Sequence, residues 1–344
     1  MTEPPLVSVA AVRAAADTLR GIALRTPLVP FGPPADRRFL KAESLQPIGA
    51  FKIRGAYVAV ASLTEAERAR GVITYSSGNH AQGVARAARL LGAPAVVVMP
   101  SDAPALKRAR VEADGAEVIV VGTSSDERQQ VAERLAAERG LAIIPPYDDD
   151  RIIAGQGTVG LEIAEEVPDV AAVLVPIGGG GLASGVAVAV RAIVPGARLI
   201  GVEPELAADA RDSLRAGHIV RWTPEDASRT IADGTRTTAL GRRNFAHLSQ
   251  LLDDIVTVSE AEIAAGVRLA AEQSRLVAEP SGALAVAALA FRAAEAGIEG
   301  LGGPVVAVVS GGNVDPERFR SYLAAPLPAV LKESRVAGGP ASRP

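Results

Sequence analysis

Three observations predict an α/β protein with largely parallel sheets. Short Val/Ile-rich runs alternate with longer Ala/Leu/Arg segments of helical spacing, which is the pattern of strand-helix units. The composition is 48% apolar and 22% charged, with 34 Gly and 24 Pro scattered along the chain, as in an ordinary folded protein. At 344 residues the chain exceeds what one hydrophobic core usually holds, so two domains are expected.

An amphipathic helix is expected at 8–19, in a start that carries Glu3, Arg13, Asp17 and Arg20 and lacks the apolar block of a secretory signal. Strands follow at 72–75, 95–99, 117–121, 172–175, 199–202 and 305–309. Helices are expected at 81–91, 105–113, 124–139, 157–166, 185–193 and 260–273. Residues 170–190 carry no charge, but Pro176 and the glycines behind it would break a spanning helix, so this stretch reads as buried strand, turn and helix. The tail at 332–344 lacks apolar periodicity and is expected to be disordered.

The charge balance limits the partners. Lys and Arg total 36 against 39 Asp and Glu, a net charge of -3, which leaves no cationic excess for a nucleic-acid backbone. A small-molecule partner and no membrane association are expected. Zero Cys excludes disulfides, thiolate nucleophiles and zinc-thiolate sites, and fits a cytoplasmic protein.

Four segments carry the chemistry. In the first, Lys52 lies between Phe51 and Ile53 and is bracketed by Gly49 and Gly55. Apolar flanks desolvate an ammonium and favour the neutral, nucleophilic amine. The second, Ser76-Ser77-Gly78-Asn79-His80, is a polar turn between an expected strand and an expected helix, suited to an anion such as a substrate carboxylate. The third contains Gly178, Gly179, Gly180 and Gly181, after a strand and before an apolar helix, where converging backbone N–H groups suit a phosphate. This run does not match GxxxxGK[ST], and no early GxGxxG precedes it. The fourth, Ser310-Gly311-Gly312-Asn313, closes the strand at 305–309, where ligands of open α/β sheets collect. Taken singly, each has an ordinary reading: a solvated lysine, a helix cap, a linker or a tight turn.

Taken in order, with AGQGT, ADG and EPSGA between them, these segments resemble the fold-type II pyridoxal-phosphate enzymes, and within them the threonine/serine dehydratase and serine racemase group. The resemblance runs from about Thr26 to Leu323. Lys52-Ile53-Arg54-Gly55 and Asn79-His80 point away from the related sulfur-transfer synthases, whose corresponding motifs are nearer SxKDR and TSGNTG. The resemblance implies two open twisted sheets flanked by helices, a tryptophan synthase β-like architecture. It places a large cofactor-binding domain at 1–70 and 149–331 and a small inserted domain at 71–148. It further implies a homodimer; the C-terminal regulatory domain that the family's biosynthetic threonine dehydratases add is not expected, because the sequence ends too soon after Ser310.

The resemblance also implies roles for individual residues. Lys52 would hold pyridoxal 5'-phosphate as a Schiff base and then act as acid and base. Phe51 would pack near the ring and Asn79 would hold its hydroxyl. Gly178, Gly179, Gly180 and Gly181 would cradle the phosphate, Gly234 of ADG and Glu279 of EPSGA would lie at the cofactor, and Ser310 would meet the pyridine nitrogen. Ser76, Asn79, His80 and Arg128 match substrate-carboxylate contacts. Ser77 stands where the racemase has serine and many dehydratases have alanine, so it could reprotonate Cα from the face opposite Lys52. Glu203, Ala207 and Asp209 keep the spacing of the family's divalent-cation site, through two carboxylates and one backbone carbonyl, and oxygen ligands suit Mg²⁺ or Ca²⁺.

The activity implied is β-elimination from L-threonine or L-serine, giving a 2-oxo acid and ammonia. Serine racemase and 3-hydroxyaspartate dehydratase are the alternatives within the group. A non-catalytic nucleotide-binding module is the alternative outside it.

Overall fold

The computed structural model describes residues 4–328 apart from 77, 104, 123 and 124. The expected tail at 332–344 and Ser77 therefore lie outside the described residues. The chain opens with α1 (Val9–Thr18), β1 (Leu28–Pro30), β2 (Arg38–Ala42), α2 (Ile53–Ala61) and α3 (Glu65–Arg70). Next come β3 (Val72–Tyr75), α4 (Asn79–Leu91), β4 (Ala95–Pro100), α5 (Ala105–Ala113), β5 (Glu117–Val121), α6 (Ser125–Arg139) and β6 (Ala142–Ile143). The remainder is α7 (Asp150–Glu166), β7 (Ala172–Pro176), α8 (Gly181–Ile193), β8 (Arg198–Pro204), α9 (Asp209–Ala216), α10 (Pro224–Ala227), α11 (Arg242–Leu251), β9 (Asp254–Val258), α12 (Glu260–Ser274), α13 (Pro280–Phe291), β10 (Val305–Val309) and α14 (Pro316–Leu323).

These strands form two open sheets. A four-stranded sheet runs β5-β4-β3-β6, all parallel. A six-stranded sheet runs β1-β2-β10-β7-β8-β9, parallel except for the β1-β2 pair. Parallel strands covered on both faces are apolar throughout, and β4, β7 and β10 are buried at every position. One face of the six-stranded sheet packs on α12 and α13, around Val267, Leu284 and Leu289. Its other face packs on α7 and α8, around Val159, Val186 and Val190. The apolar layer on the four-stranded sheet draws in Ala56, Ala59 and Val60 of α2 and Ile152 of α7. No helix among the described residues is long and apolar enough to cross a membrane.

Helix α4 starts two residues earlier than its sequence predicts, and α7 and α8 start four or more residues earlier, the latter two for one reason. The spacing places a helix at 157–166, yet α7 begins at Asp150, one residue after Asp149, whose carboxylate accepts the Arg151 N–H. Gly155 and Gly157 look like breakers in that stretch but are contact points. A Cβ on Gly155 would stand 2.6 Å from the Gly55 Cα of α2, and one on Gly157 would stand 2.9 Å from the Gly185 carbonyl of α8. The same holds for Gly185, where a Cβ would lie 2.4 Å from the Gly157 nitrogen, and α8 accordingly runs from Gly181 rather than from 185. Helix α7 thus crosses α2 on one side and α8 on the other at backbone distance and holds the two in fixed relation.

A buried ionic network fixes that crossing. Arg54, in the first turn of α2, forks onto Glu43 at 2.8 Å through two nitrogens and onto Glu162 of α7 at 2.6 and 2.9 Å. It also reaches Thr158 Oγ1 at 3.0 Å and the Leu24 carbonyl at 2.9 Å. Lys41 of β2 pairs with Glu162 at 2.7 Å and donates to the Thr26 carbonyl at 2.5 Å. Burial opposes ionisation of Glu43, but the Arg54 guanidinium outweighs it and holds the carboxyl below the usual range. Among the described residues, Arg54 and Lys41 are the largest side chains fully withdrawn from solvent.

Candidate active site

The C-terminal ends of β3, β7 and β10 open onto one cavity of about 460 Å³ between the two sheets. This is where open α/β sheets bind ligands. Its wall contains Phe51, Lys52, Ser76, Asn79, His80, Arg128, Gly178, Gly179, Gly180, Gly181, Gly234, Glu279 and Ser310, so segments from both ends of the chain converge on one space. The metal candidates Glu203, Ala207 and Asp209 lie outside that wall, at the end of β8 and the start of α9.

Lys52 sits immediately before α2, and its Nζ donates to the Pro146 carbonyl at 2.7 Å and stands 5.1 Å from the centre of the Phe51 ring. Burial brings the amine down from the ordinary lysine value to about 8, so an appreciable neutral fraction exists near neutral pH. The flanking backbone is fixed, because Phe51 donates its N–H to the Ser310 carbonyl at 3.0 Å and Ala50 bridges to Gly311. Lys52 and Ser310 are thereby held side by side although 258 positions separate them in the numbering.

The tetraglycine turn is closed to any side chain. A Cβ on Gly179 would meet the Tyr147 ring at 2.2 Å, and Gly180, at φ 97°, would place one 2.7 Å from the Asn244 Cβ. Helix α8 starts directly behind it, and the N–H groups of a first helical turn have no intrahelical acceptor. A phosphate suits such a turn. Asn79 begins α4 and is held at both ends of its amide: Nδ2 donates to Glu279 at 2.5 Å, and Oδ1 accepts from Asn313 at 2.9 Å. Burial raises the Glu279 carboxyl to about 7, against the pull of Lys107. Ser310 is buried in the wall and offers a neutral hydroxyl. An amine, an anion cradle, an amide and a neutral hydroxyl around one cavity are the donor set that pyridoxal phosphate requires.

The remaining candidates divide. The His80 imidazole places Nε2 against the Ile144 carbonyl at 3.1 Å and leaves Nδ1 without a protein partner among the described residues, and burial, with the Lys52 charge, pulls it down to about 3. Arg128 reaches the wall, where burial lowers its guanidinium from the usual value. Gly234 donates its N–H to Ser281 Oγ at 2.8 Å. Glu203 accepts the N–H groups of Ala210 and Arg211 at 2.9 and 2.8 Å, capping α9. Beside it Asp209 is buried with Oδ2 unpartnered, and burial raises it to about 7. No cluster of three or more acidic, histidine or cysteine side chains suited to a metal occurs among the described residues.

Sequence reasoning missed Tyr147, Lys107 and Asp233. Tyr147 and Pro146 form a loop across the cavity, and burial pushes the Tyr147 phenol up to about 12. Lys107 pairs with Asp233 across the cavity at 2.6 Å. One signal was available: the chain has four lysines, Lys41, Lys52, Lys107 and Lys332, among 36 Lys and Arg, and two of them line this cavity.

Comparison with known proteins identifies the family and the fold. The family described as "Pyridoxal-phosphate dependent enzyme" matches residues 19–311. An L-threo-3-hydroxyaspartate ammonia-lyase of Saccharomyces cerevisiae is 44% identical over 285 residues, 83% of this chain and 85% of that protein. A serine racemase of Schizosaccharomyces pombe is 43% identical over 286 residues, 83% of this chain and 86% of that one. Among solved structures, a threonine deaminase of T.th. superposes with a TM-score of 0.83 at 43% identity, covering 90% of this chain and 99% of that one.

Proposed function

The chain belongs to the pyridoxal-phosphate-dependent enzymes and to their ammonia-lyase branch, and from that premise we propose that it removes the β-hydroxyl and the amine from L-threonine or L-serine, giving a 2-oxo acid and ammonia. The observation that carries the reading is the desolvated Lys52 amine in one wall with the tetraglycine turn, Asn79 and Ser310.

Gly178, Gly179, Gly180 and Gly181 would hold the cofactor phosphate, Asn79 the ring hydroxyl and Ser310 the ring nitrogen, while Lys52 Nζ would bind the aldehyde. Bound there, pyridoxal phosphate supplies the electron-withdrawing ring that acidifies the substrate Cα–H. Lys52 Nζ would take that proton; the burial that lowers its basicity also favours the neutral amine that can accept it. Ser310 would meet the ring nitrogen with a neutral hydroxyl, a partner that suits loss of the β-substituent. Ser76, the first turn of α4 and Arg128 orient the substrate carboxylate.

A second reading, 3-hydroxyaspartate as substrate, is favoured by the cavity rim. Arg221, Arg236 and Arg242 line it, and among the described residues none of their guanidinium groups pairs with a carboxylate, although the Arg242 backbone N–H donates to Asp148 at 3.1 Å. Three guanidinium groups without acidic partners suit a substrate with a second carboxylate. Release of 2-oxo acid from L-threonine, L-serine and L-threo-3-hydroxyaspartate, compared by kcat/KM, tests both. The first reading expects turnover of threonine or serine, the second a preference of roughly tenfold or more for the diacid that falls in Arg221→Gln. Turnover of none of the three would refute both.

We further propose a divalent cation at Glu203, Asp209 and the Ala207 carbonyl. Two buried carboxylates, one with an unpartnered oxygen, fit a hard cation with oxygen ligands. Saturating Mg²⁺ or Ca²⁺ is expected to raise Tm, with about 2.7 kcal/mol gained at a hundredfold excess over Kd. Asp209→Asn should abolish that rise, and a wild-type Tm indifferent to all divalent cations would remove the proposal.

A further inference from the structure

Helix α5 flanks the cavity from the side of the four-stranded sheet and makes two cationic contacts with the other side. Arg110 bonds Asn313, and Lys107, one turn earlier, donates to Asp233 at 2.6 Å. The two contacts differ in setting. Arg110 is exposed, whereas the Lys107 side chain is 10% exposed and lies in the cavity wall, with the more open Asp233 at 35%. The ammonium has three N–H bonds, and Asp233 is its one hydrogen-bond partner among the described residues. Its Nζ stands 3.6 Å from where a Cβ on Gly78 would be, directly before the first turn of α4. A cation with donors to spare, beside the start of α4, is placed for an anion that enters the cavity.

We propose that Lys107 is a binding residue for the carboxylate of the incoming amino acid, and that Asp233 holds the ammonium until the substrate competes for it. The inference rests on the amino-acid lyase reading above. It carries a consequence that a purely structural ion pair does not: the two partners act in opposite directions. Removing Lys107 takes away a ligand for the substrate, whereas removing the Asp233 charge takes away the substrate's competitor.

The experiment uses the cofactor-loaded protein and two measurements. In steady-state kinetics, Lys107→Gln is expected to raise KM roughly 10- to 100-fold with little change in kcat, the loss of a charge-assisted hydrogen bond, and Asp233→Asn to lower KM several-fold. In equilibrium titrations followed by the cofactor absorbance, Lys107→Gln should weaken L-alanine, which has no β-leaving group, and leave ethylamine, which has no carboxylate, unchanged. Lys107→Arg should restore part of the alanine affinity. The proposal is overturned if Lys107→Gln weakens alanine and ethylamine alike, or if both substitutions raise KM together. A wild-type protein whose cofactor absorbance responds to no amino acid would instead overturn the lyase reading, and the role of Lys107 with it.

Discussion

Replacement of Lys52 by alanine is expected to lower turnover by at least about 10³-fold, because one side chain supplies both the covalent hold on the cofactor and the proton transfer at Cα, and acid-base catalysis alone contributes about 10²- to 10⁴-fold. Cofactor absorbance characteristic of a lysine-bound aldehyde should vanish in the same variant, while the melting temperature stays within a few degrees. Near-wild-type turnover in Lys52→Ala would contradict the assignment. The pH dependence has a definite sign. Burial brings Lys52 down to about 8, so the neutral amine increases as pH rises toward that value and its capture of added cofactor should level off just above it. A solvated lysine would continue to gain rate toward about 10.4. Stopped-flow absorbance of cofactor-free protein mixed with pyridoxal phosphate over pH 6–10 separates the two.

The second large effect lies at Arg54, two residues further on and outside the cavity wall. Truncation to alanine leaves Glu43 buried without its hydrogen-bonded cation and Glu162 with Lys41 alone, which costs about 3–5 kcal/mol. A urea melt should therefore lose a large share of a margin that is about 5–15 kcal/mol in total. Because Arg54 ties the first turn of α2 to α7 and to the loop carrying Leu24, Arg54→Lys, which keeps a charge but not the fork, should recover only part of the stability. A change below about 1 kcal/mol in Arg54→Ala would show that the network is not a buried anchor.

Local pattern made part of this legible. The strands at 72–75, 117–121 and 305–309 are nearly continuous apolar runs ended by Ser or Gly, and the structure has them at those residues. Helix α5 likewise spans 105–113. β2 was not legible because Arg38-Phe39-Leu40-Lys41-Ala42 carries two cations, and only the tertiary pairing of Lys41 with Glu162 lets it enter a core. α13 is apolar on every side and has no period to read. α7 was truncated by glycines whose purpose is contact with helices that sequence alone does not place next to them.

The candidate site divides in the same way. Lys52, Asn79, the tetraglycine turn and Ser310 stand in short polar or glycine-rich turns at strand or helix ends, so local sequence marks them. Lys107 and Asp233 meet across 126 residues, and Lys52 meets the Pro146 carbonyl across 94. Pairings of that kind leave no spacing to detect. Lys107 in particular occupies a charged helix, where a lysine ordinarily faces water.

The covalent position of the cofactor is the most direct test of the whole account. The protein loaded with pyridoxal phosphate, reduced with borohydride and digested, should carry the pyridoxyl group on the peptide that contains Lys52. Modification of Lys107 instead, the other lysine of the cavity, or of no lysine at all, would contradict it.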